Sequence, residues 1–479
     1  MSRDDVKTAA LLSAVVLLIT GFRCWFASVL DVAPDEAYYF GWSKALSLVY
    51  RDHPPMVAWA MRLGVVIFGE TPLGVRFVAV MLSAAAIIGV YLIGIEMGLT
   101  QRNALQGATI STLLIAPASA AVICTPDTFL GAFYILAVLA LLRLKRTGNH
   151  AWNYVFAIAA VGGLWSKWAA LLMLPMMFAA RPCKKTATPP RSTAHPVIAA
   201  LLGLALVLPY IVAEAVAGFP AVSFQLAHLR GELPGATDTG PLIAAARIGE
   251  VVGGQAGLLS PLIAIFLVIY LVSVHSEESP LLKTAVLLPM AATCMAALFC
   301  HPEQNWAALG HPMAGPMVVF ALHHSFQSRG LRLRVWSSAV LASVIAVFVI
   351  VHAHTLHPIL PLPPERDPTS RLHGWSDLKS LDDRLQSIDA VVCDNYALAA
   401  EFSWQLRERI PANVTVTSPD RSPLPSPGDW LLLSQEGDFG RETLAVTCSK
   451  TVLLTSIPLK RPDGAVWDMV RVSMGRDCH

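Results

Sequence analysis

Residues 9–30 read AALLSAVVLLITGFRCWFASVL and run straight into 31–55, DVAPDEAYYFGWSKALSLVYRDHPP. The first stretch is apolar and long enough to cross a bilayer, which takes about 20 residues. The second sets Asp31, Asp35, Glu36, Lys44, Arg51, Asp52 and His53 among three prolines. The flank MSRDDVK is basic enough for a signal peptide. The apolar run is long, however, and no small-residue cleavage site stands out, so 9–30 reads as an uncleaved helix.

The apolar pattern recurs. Further spans are expected near 74–97, 104–123, 127–143, 196–214, 249–273, 281–300, 306–323 and 334–353. The 479 residues are 55% apolar and 14% charged, with mean hydropathy +0.56, where a soluble domain carries about 25% charged residues. This is the composition of a polytopic membrane protein. Net charge is +2, with no basic patch interleaved with aromatics, so nothing points to a nucleic-acid partner.

Lys and Arg set the orientation. RLKRTGNH (143–150), RPCKKTATPPRSTAH (181–195) and HHSFQSRGLRLR (323–334) are basic and are expected in the cytoplasm, as is the N-terminus. The stretch 152–180 must then leave and return within about 29 residues, where two full crossings need roughly 40. A short helical pair is expected that crosses only partly or spans where the bilayer is thin, its turn carrying Trp165-Ser166-Lys167-Trp168. An ionisable group at such a place is a functional candidate. The sum is about eleven helical segments, with the C-terminus outside.

On this topology the loop 31–73, TPDT (125–128), the loop 215–248, HPEQN (301–305) and the tail after 354 share the outer side. Asp35, Glu36, Asp52, Asp127, Glu232 and Glu303 all lie there. Acidic residues contribute little to topology. The outer loops are therefore either merely polar or parts of one site.

Residues 1–354 read as the multi-span domain, with 31–73 as its first outer loop. PLPPERDPTSRLHGW (361–375) marks a Pro-rich linker, 355–374, before an extracytoplasmic α/β domain, 375–479. Strands are expected at 389–394, 429–435, 450–459 and 465–474, and a helix over 395–410. Of the eight cysteines, Cys24, Cys124, Cys294 and Cys300 fall in or beside spans and Cys183 in a cytoplasmic loop. Cys393, Cys448 and Cys478 lie in the outer domain, where Cys393–Cys448 is the expected disulfide.

Several residues bear chemistry. Asp35 and Glu36 after Pro34 suit a metal site, a general base or the first turn of an interfacial helix. Arg51-Asp52-His53-Pro54-Pro55 fixes His53 on a rigid backbone, for a lipid phosphate or simply as a solvated turn. Asp127 offers another carboxylate, or faces a helix N-terminus. Lys167 offers a phosphate contact or snorkels between two tryptophans. Arg230 offers the same contact from an outer loop, where a lone Arg is more often just solvated. Glu303-Gln304-Asn305-Trp306 begins a span, with Trp306 as interfacial anchor. His352, His354 and His357 are weakly spaced for metal. There is no phosphate-binding Gly-rich loop, CxxC pair, HExxH or GxSxG, so cytosolic nucleotide chemistry is not indicated.

The stretch 34–82, with its DE pair, DHPP and LG..FG.....VR, resembles the first-loop region of bacterial GT-C glycosyltransferases. The family is that of the dolichyl-phosphate-mannose protein mannosyltransferases, with the lipid A aminoarabinose transferases. TPDTFLGAFYILAVLALL (125–142), GLWSKWAALLMLPMMF (163–178), FQLAHLRG (224–231), GGQAGLLSP (253–261) and EQNWAALGHP (303–312) are similar to further stretches. The resemblance covers about 34–320; in the outer domain it extends only to placement and to DNYALAAEFSW.

It implies a polyprenyl-phosphate sugar donor, transfer on the outer face of the bacterial inner membrane, usually with inversion, and an envelope glycolipid or protein acceptor. Asp35 becomes the expected general base, with Glu36 and Asp127 as further catalytic acids. His53, Lys167 and Arg230 are expected on the donor phosphate, and Tyr38, Asp52, Glu303 and Asn305 on substrate. His53 stands where the aminoarabinose branch has Lys, which leaves sugar and acceptor open. Metal use varies among GT-C enzymes, so a divalent metal stays open and none is assigned. The alternative is a transporter or flippase of a lipid-linked substrate, which would gather ionisable groups near the midplane, often in two related halves.

Overall fold

The computed structural model describes residues 3–180, 194–230, 240–326, 329–420, 423–436, 446 and 448–478. Helix α1 (Arg3–Val29) carries the first apolar stretch over 27 residues, about 40 Å of helix. Pro34 opens α2 (Pro34–Lys44), where a missing N–H costs nothing. The Pro54–Pro55 turn precedes α3 (Met56–Phe68), and α4 (Pro72–Glu96) follows. After α5 (Gln101–Leu113) and α6 (Ile115–Ala120), helix α7 (Pro126–Thr147) again begins at a proline. Helix α8 (Ala151–Leu164) ends at the Trp165–Lys167 turn, from which a tight 3₁₀ turn leads to α9 (Met173–Ala179).

Beyond these lie α10 (Ala194–Val216), α11 (Pro220–Leu229), α12 (Pro241–Leu259), α13 (Pro261–Ser273) and α14 (Ser279–Ala296). The four-residue α15 (Gln304–Ala307), α16 (Ala314–Phe326) and α17 (Gly330–Leu356) complete the helical part. Among the described residues seven helices are long and apolar enough to span a bilayer: α1, α4, α7, α10, α12, α14 and α17. Met56–Phe68, Ala151–Leu164, Trp168–Ala179 and Pro261–Ser273 are shorter apolar segments. The expected short pair over 152–180 is thus present. Its first helix has 14 residues, about 21 Å, too short for a full crossing.

Three expected spans are interrupted. The run 104–123 breaks at Leu114, which is extended (φ −61°, ψ 146°). Pro117 in the next turn would clash with the Leu113 carbonyl if the helix continued. The run 249–273 breaks at Ser260, held at φ 70° before Pro261. The run 306–323 begins as α15 and a 3₁₀ turn, Ala308–Met313, containing Pro312, before α16 forms.

The chain divides into two compact units: Met1–Trp25, Leu46–Gly64 and Arg76–Val349; and Phe26–Ala45, Val65–Val75 and Ile350–His479. In the first, a Cβ on Gly315 would lie 2.0 Å from the Gly107 carbonyl oxygen, so α5 and α16 meet backbone to backbone. Ser111 fastens that crossing, donating to Pro312 O at 2.7 Å and accepting from Gly315 N at 3.0 Å. Arg23, fully buried, donates to Ser83 and to the carbonyl and hydroxyl of Thr112.

The second unit holds a five-stranded sheet, order β2-β1-β3-β5-β4, with β1 Ala390–Cys393, β2 Thr415–Thr417, β3 Gly428–Gln435, β4 Lys450–Lys460 and β5 Val466–Cys478. β1 runs parallel to β2 and β3; β5 is antiparallel to β3 and β4. Helix α18 (Tyr396–Gln405) packs on the sheet through Leu398 and Phe402, over a core that includes Trp375, Leu378 and Leu431. The short β2 was not expected from sequence.

The disulfide is Cys448–Cys478, Cα–Cα 4.0 Å, and not Cys393–Cys448. The antiparallel register sets Lys450 opposite Arg476 and so brings the strand ends together, while Cys393 is sealed in the sheet core. Cys183 and Glu232 lie outside the described residues.

Candidate active site

In the first unit the polar residues converge on Asp127. Pro126 occupies the first turn of α7, and Thr125 before it is extended. The Thr128 hydroxyl bonds the carbonyls of Ala120 and Ile123, fixing the entry of the chain. Asp127 is thereby presented from the helix start. Lys167 Nζ donates to both its oxygens, at 2.8 and 2.9 Å, and Asn305 Nδ2 donates to Oδ2 at 2.9 Å.

The ammonium is in place because α8 ends sharply. Trp165 N bonds Val161 O, Ser166 Oγ bonds Gly162 O and Lys167 N bonds Gly163 O. Lys167 itself is extended, turning the chain into the following 3₁₀ segment. The side chains of Lys167 and Asp127 are 12% and 24% exposed. The pair is thus shielded, yet within reach of a polar ligand.

Further segments are knitted to this turn. Met56 N donates to Trp165 O at 3.0 Å, and Trp59 packs edge-on to Trp165, which ties the RDHPP turn to the Lys167 turn. Gln225 of α11 donates to the Asp52 carbonyl. His228 of the same helix lies against Trp306, 5.3 Å between rings. Asp52 is buried and His53 half-buried. Arg230 is exposed at the C-terminal cap of α11, and Glu303 is exposed at the start of α15.

Asp35 and Glu36 belong to the second unit and occupy the first turn of α2. Their environments differ. Glu36 is fully buried and accepts the Ala33 amide at 2.9 Å, capping the helix. Asp35 is exposed, and its Oδ1 accepts the Tyr396 hydroxyl at 2.9 Å. Tyr38, half-buried, meets Tyr396 edge-on at 5.1 Å.

The structure thus joins Asp127, Lys167 and Asn305 directly, and links the Asp52–His53 turn to the same cluster through backbone contacts. Tyr396, Gln225 and His228 were not singled out from sequence. Tyr396 lies 361 residues from Asp35, and its signal was limited to the motif DNYALAAEFSW.

His354, near the end of α17, has another duty. His354 Nδ1 accepts the amides of Ile359 and Leu360, and Nε2 bonds Asp367 at 2.9 Å. Among the described residues no three His, Cys, Asp or Glu side chains gather as metal ligands.

Residues 52–212 match the family model described as dolichyl-phosphate-mannose-protein mannosyltransferase. The lipid A galacturonosyltransferase RgtD of Rhizobium johnstonii is 26% identical over 171 residues, 33% of this chain and 35% of that protein. The match thus spans about a third of the curated relative's length.

The fold is similar to that of ArnT from Cupriavidus metallidurans, solved in the apo state, with TM-score 0.61 and 12% identity over 98% of both chains. ArnT bound to undecaprenyl phosphate gives TM-score 0.59 at 12% identity over 97% of both chains. The oligosaccharyltransferase AglB of Archaeoglobus fulgidus, in complex with an inhibitory peptide and a dolichol-phosphate, gives 0.52 at 12% identity over 87% of this chain and 65% of its own. The chain is a multi-span membrane protein of ArnT-like fold, similar over residues 52–212 to the dolichyl-phosphate-mannose-protein mannosyltransferases.

Proposed function

We propose that the chain transfers a sugar from a polyprenyl-phosphate donor to an acceptor hydroxyl, with inversion, on the periplasmic face of a bacterial inner membrane. Lipid A or its core sugars are the acceptor class that the RgtD likeness favours. The observation that carries the reading is Asp35, an exposed carboxylate opening α2 and held by a phenol. It stands in a chain whose fold follows ArnT bound to undecaprenyl phosphate along 97% of both lengths. Residues 375–479 form the C-terminal extracytoplasmic domain of this enzyme.

The chemistry balances without further reagents. The acceptor oxygen bonds the anomeric carbon as its proton passes to Asp35. The bond from that carbon to the phosphate oxygen breaks, and polyprenyl phosphate leaves. Lys167, with His53 and Arg230, stabilises the charge growing on the phosphate. Asp127 and Asn305 keep the Lys167 ammonium oriented for this.

Mass spectrometry of envelope glycolipids from cells with and without the protein identifies sugar and acceptor. Asp35→Asn abolishes the mass shift while leaving the protein folded and inserted; full transfer by this variant removes Asp35 as base. The helix breaks at Leu114, Ser260 and the Ala308–Met313 turn would also suit a transporter of a lipid-linked substrate. Proteoliposomes separate the two: movement of undecaprenyl-phosphate sugar across the bilayer without sugar transfer to lipid A supports the transporter.

A further inference from the structure

One helix of the sheet domain holds two carboxylates of the first outer loop. Tyr396, first in α18, donates to Asp35 Oδ1 at 2.9 Å. Gln405, last in α18, donates to Asp31 Oδ2 at 2.9 Å. Between them Phe40 meets Trp404 edge-on at 4.8 Å. Arg407 lies over Trp404 and donates to the Glu70 carbonyl at 3.0 Å.

The phenol is anchored from behind as well. Asn395 Oδ1 caps α18 through Leu398 N at 2.9 Å, and Asp420 accepts Tyr396 N at 3.3 Å. On α2, Glu36 beside Asp35 caps through Ala33 N, and Tyr38 packs on Tyr396. Tyr396 is the group that α18 sets against Asp35, with Asp420 behind it.

We propose that Tyr396 is a positioning residue for Asp35, so that the C-terminal sheet domain supplies part of the transfer site. A phenol hydrogen bond to Oδ1 fixes the plane of the carboxylate and hence the direction its other oxygen faces. It is also a charge-assisted bond to the ionised form, which it favours over the protonated one. Tyr396 thereby favours the form of the base that takes the acceptor proton. The catalytic meaning rests on Asp35 as general base, as proposed above; the Tyr396–Asp35 coupling is measurable without it.

The test uses the full chain in lipid nanodiscs. Infrared difference spectra over a pH titration locate the Asp35 carboxyl band by its loss in Asp35→Asn. Tyr396→Phe keeps the ring against Tyr38 and raises the midpoint of that band by about one pH unit. 3-Fluorotyrosine at 396, a stronger donor, moves it the opposite way, which a packing defect would not do. With undecaprenyl-phosphate galacturonic acid and lipid A as probes, Tyr396→Phe lowers kcat about tenfold and moves the acid limb upward, leaving the donor KM unchanged.

An Asp35 band indifferent to both substitutions overturns the proposal, whatever the activity of Asp35→Asn. A band that responds, in a chain where Asp35→Asn still transfers sugar, overturns the base assignment and with it the catalytic role of Tyr396.

Discussion

The Asp127–Lys167 pair can be tested by a double-mutant cycle of Asp127→Asn and Lys167→Met. The ammonium sits 2.8 and 2.9 Å from the two carboxylate oxygens. At an effective dielectric of about 20, unit charges this close attract by about 6 kcal/mol. Desolvation and side-chain ordering offset most of that. With side chains only 12% and 24% exposed, a coupling of about 2 kcal/mol remains, between surface and buried pairs. Asn305 adds a further bond to the same carboxylate.

If Asp127 serves to aim Lys167 at the donor phosphate, each single change should lower kcat/KM for the lipid donor between about tenfold and a hundredfold. The double variant should be little worse than either, a departure from additivity of about 30-fold. The assay is initial-rate transfer by purified protein in nanodiscs, with undecaprenyl-phosphate galacturonic acid varied at fixed lipid A, then the reverse. Effects that add to within about 0.5 kcal/mol, or that fall on the acceptor KM alone, would refute the reasoning and leave the pair as an anchor for the turn.

Other expectations concern the scaffold. Cys448→Ser should destabilise the sheet domain by about 3–4 kcal/mol, from the loop closed across a sequence separation of 30; thermal unfolding with and without reductant measures it, and a reductant-insensitive melt contradicts it. Gly315→Val should abolish the close approach of α5 and α16, because its Cβ would lie 2.0 Å from backbone rather than from a yielding side chain; a wild-type yield of monodisperse protein in detergent argues otherwise. Burial, with the charges of Asp468 and Asp420, pushes the Asp394 carboxyl up to about 7 against the amides of Gln435 and Asn395. Because this is above the unfolded value of about 3.9, the folded state binds the extra proton and stability should fall as pH rises from about 4 to about 7. Asp394→Asn should flatten that slope, seen as a melting temperature less dependent on pH.

Much of the architecture was legible because a bilayer imposes length. Two basic loops about 29 residues apart forced a short helical pair, and the pair is there with Lys167 at its turn. The breaks at Leu114, Ser260 and before Ala314 were missed, although Pro117, Pro261 and Pro312 stand in the sequence. Apolar runs report solvent preference, which a broken helix satisfies as well as a continuous one, whereas the break is a backbone event. The cysteine pairing was misjudged because a count cannot choose a partner; the register between β4 and β5 does.

The sequence by itself determined the membrane-spanning class and the sheet domain at the C-terminus. Composition and local spacing are enough for these. Tertiary structure alone decided who holds whom. Asp127 and Lys167 are 40 residues apart and Tyr396 and Asp35 are 361 apart. Contacts of that range depend on how the chain packs, which no local pattern encodes. The acid pair of the first loop shows the difference: alike in sequence, Glu36 is buried as a helix cap while Asp35 is exposed and held by a phenol, because consecutive positions on a helix point about 100° apart.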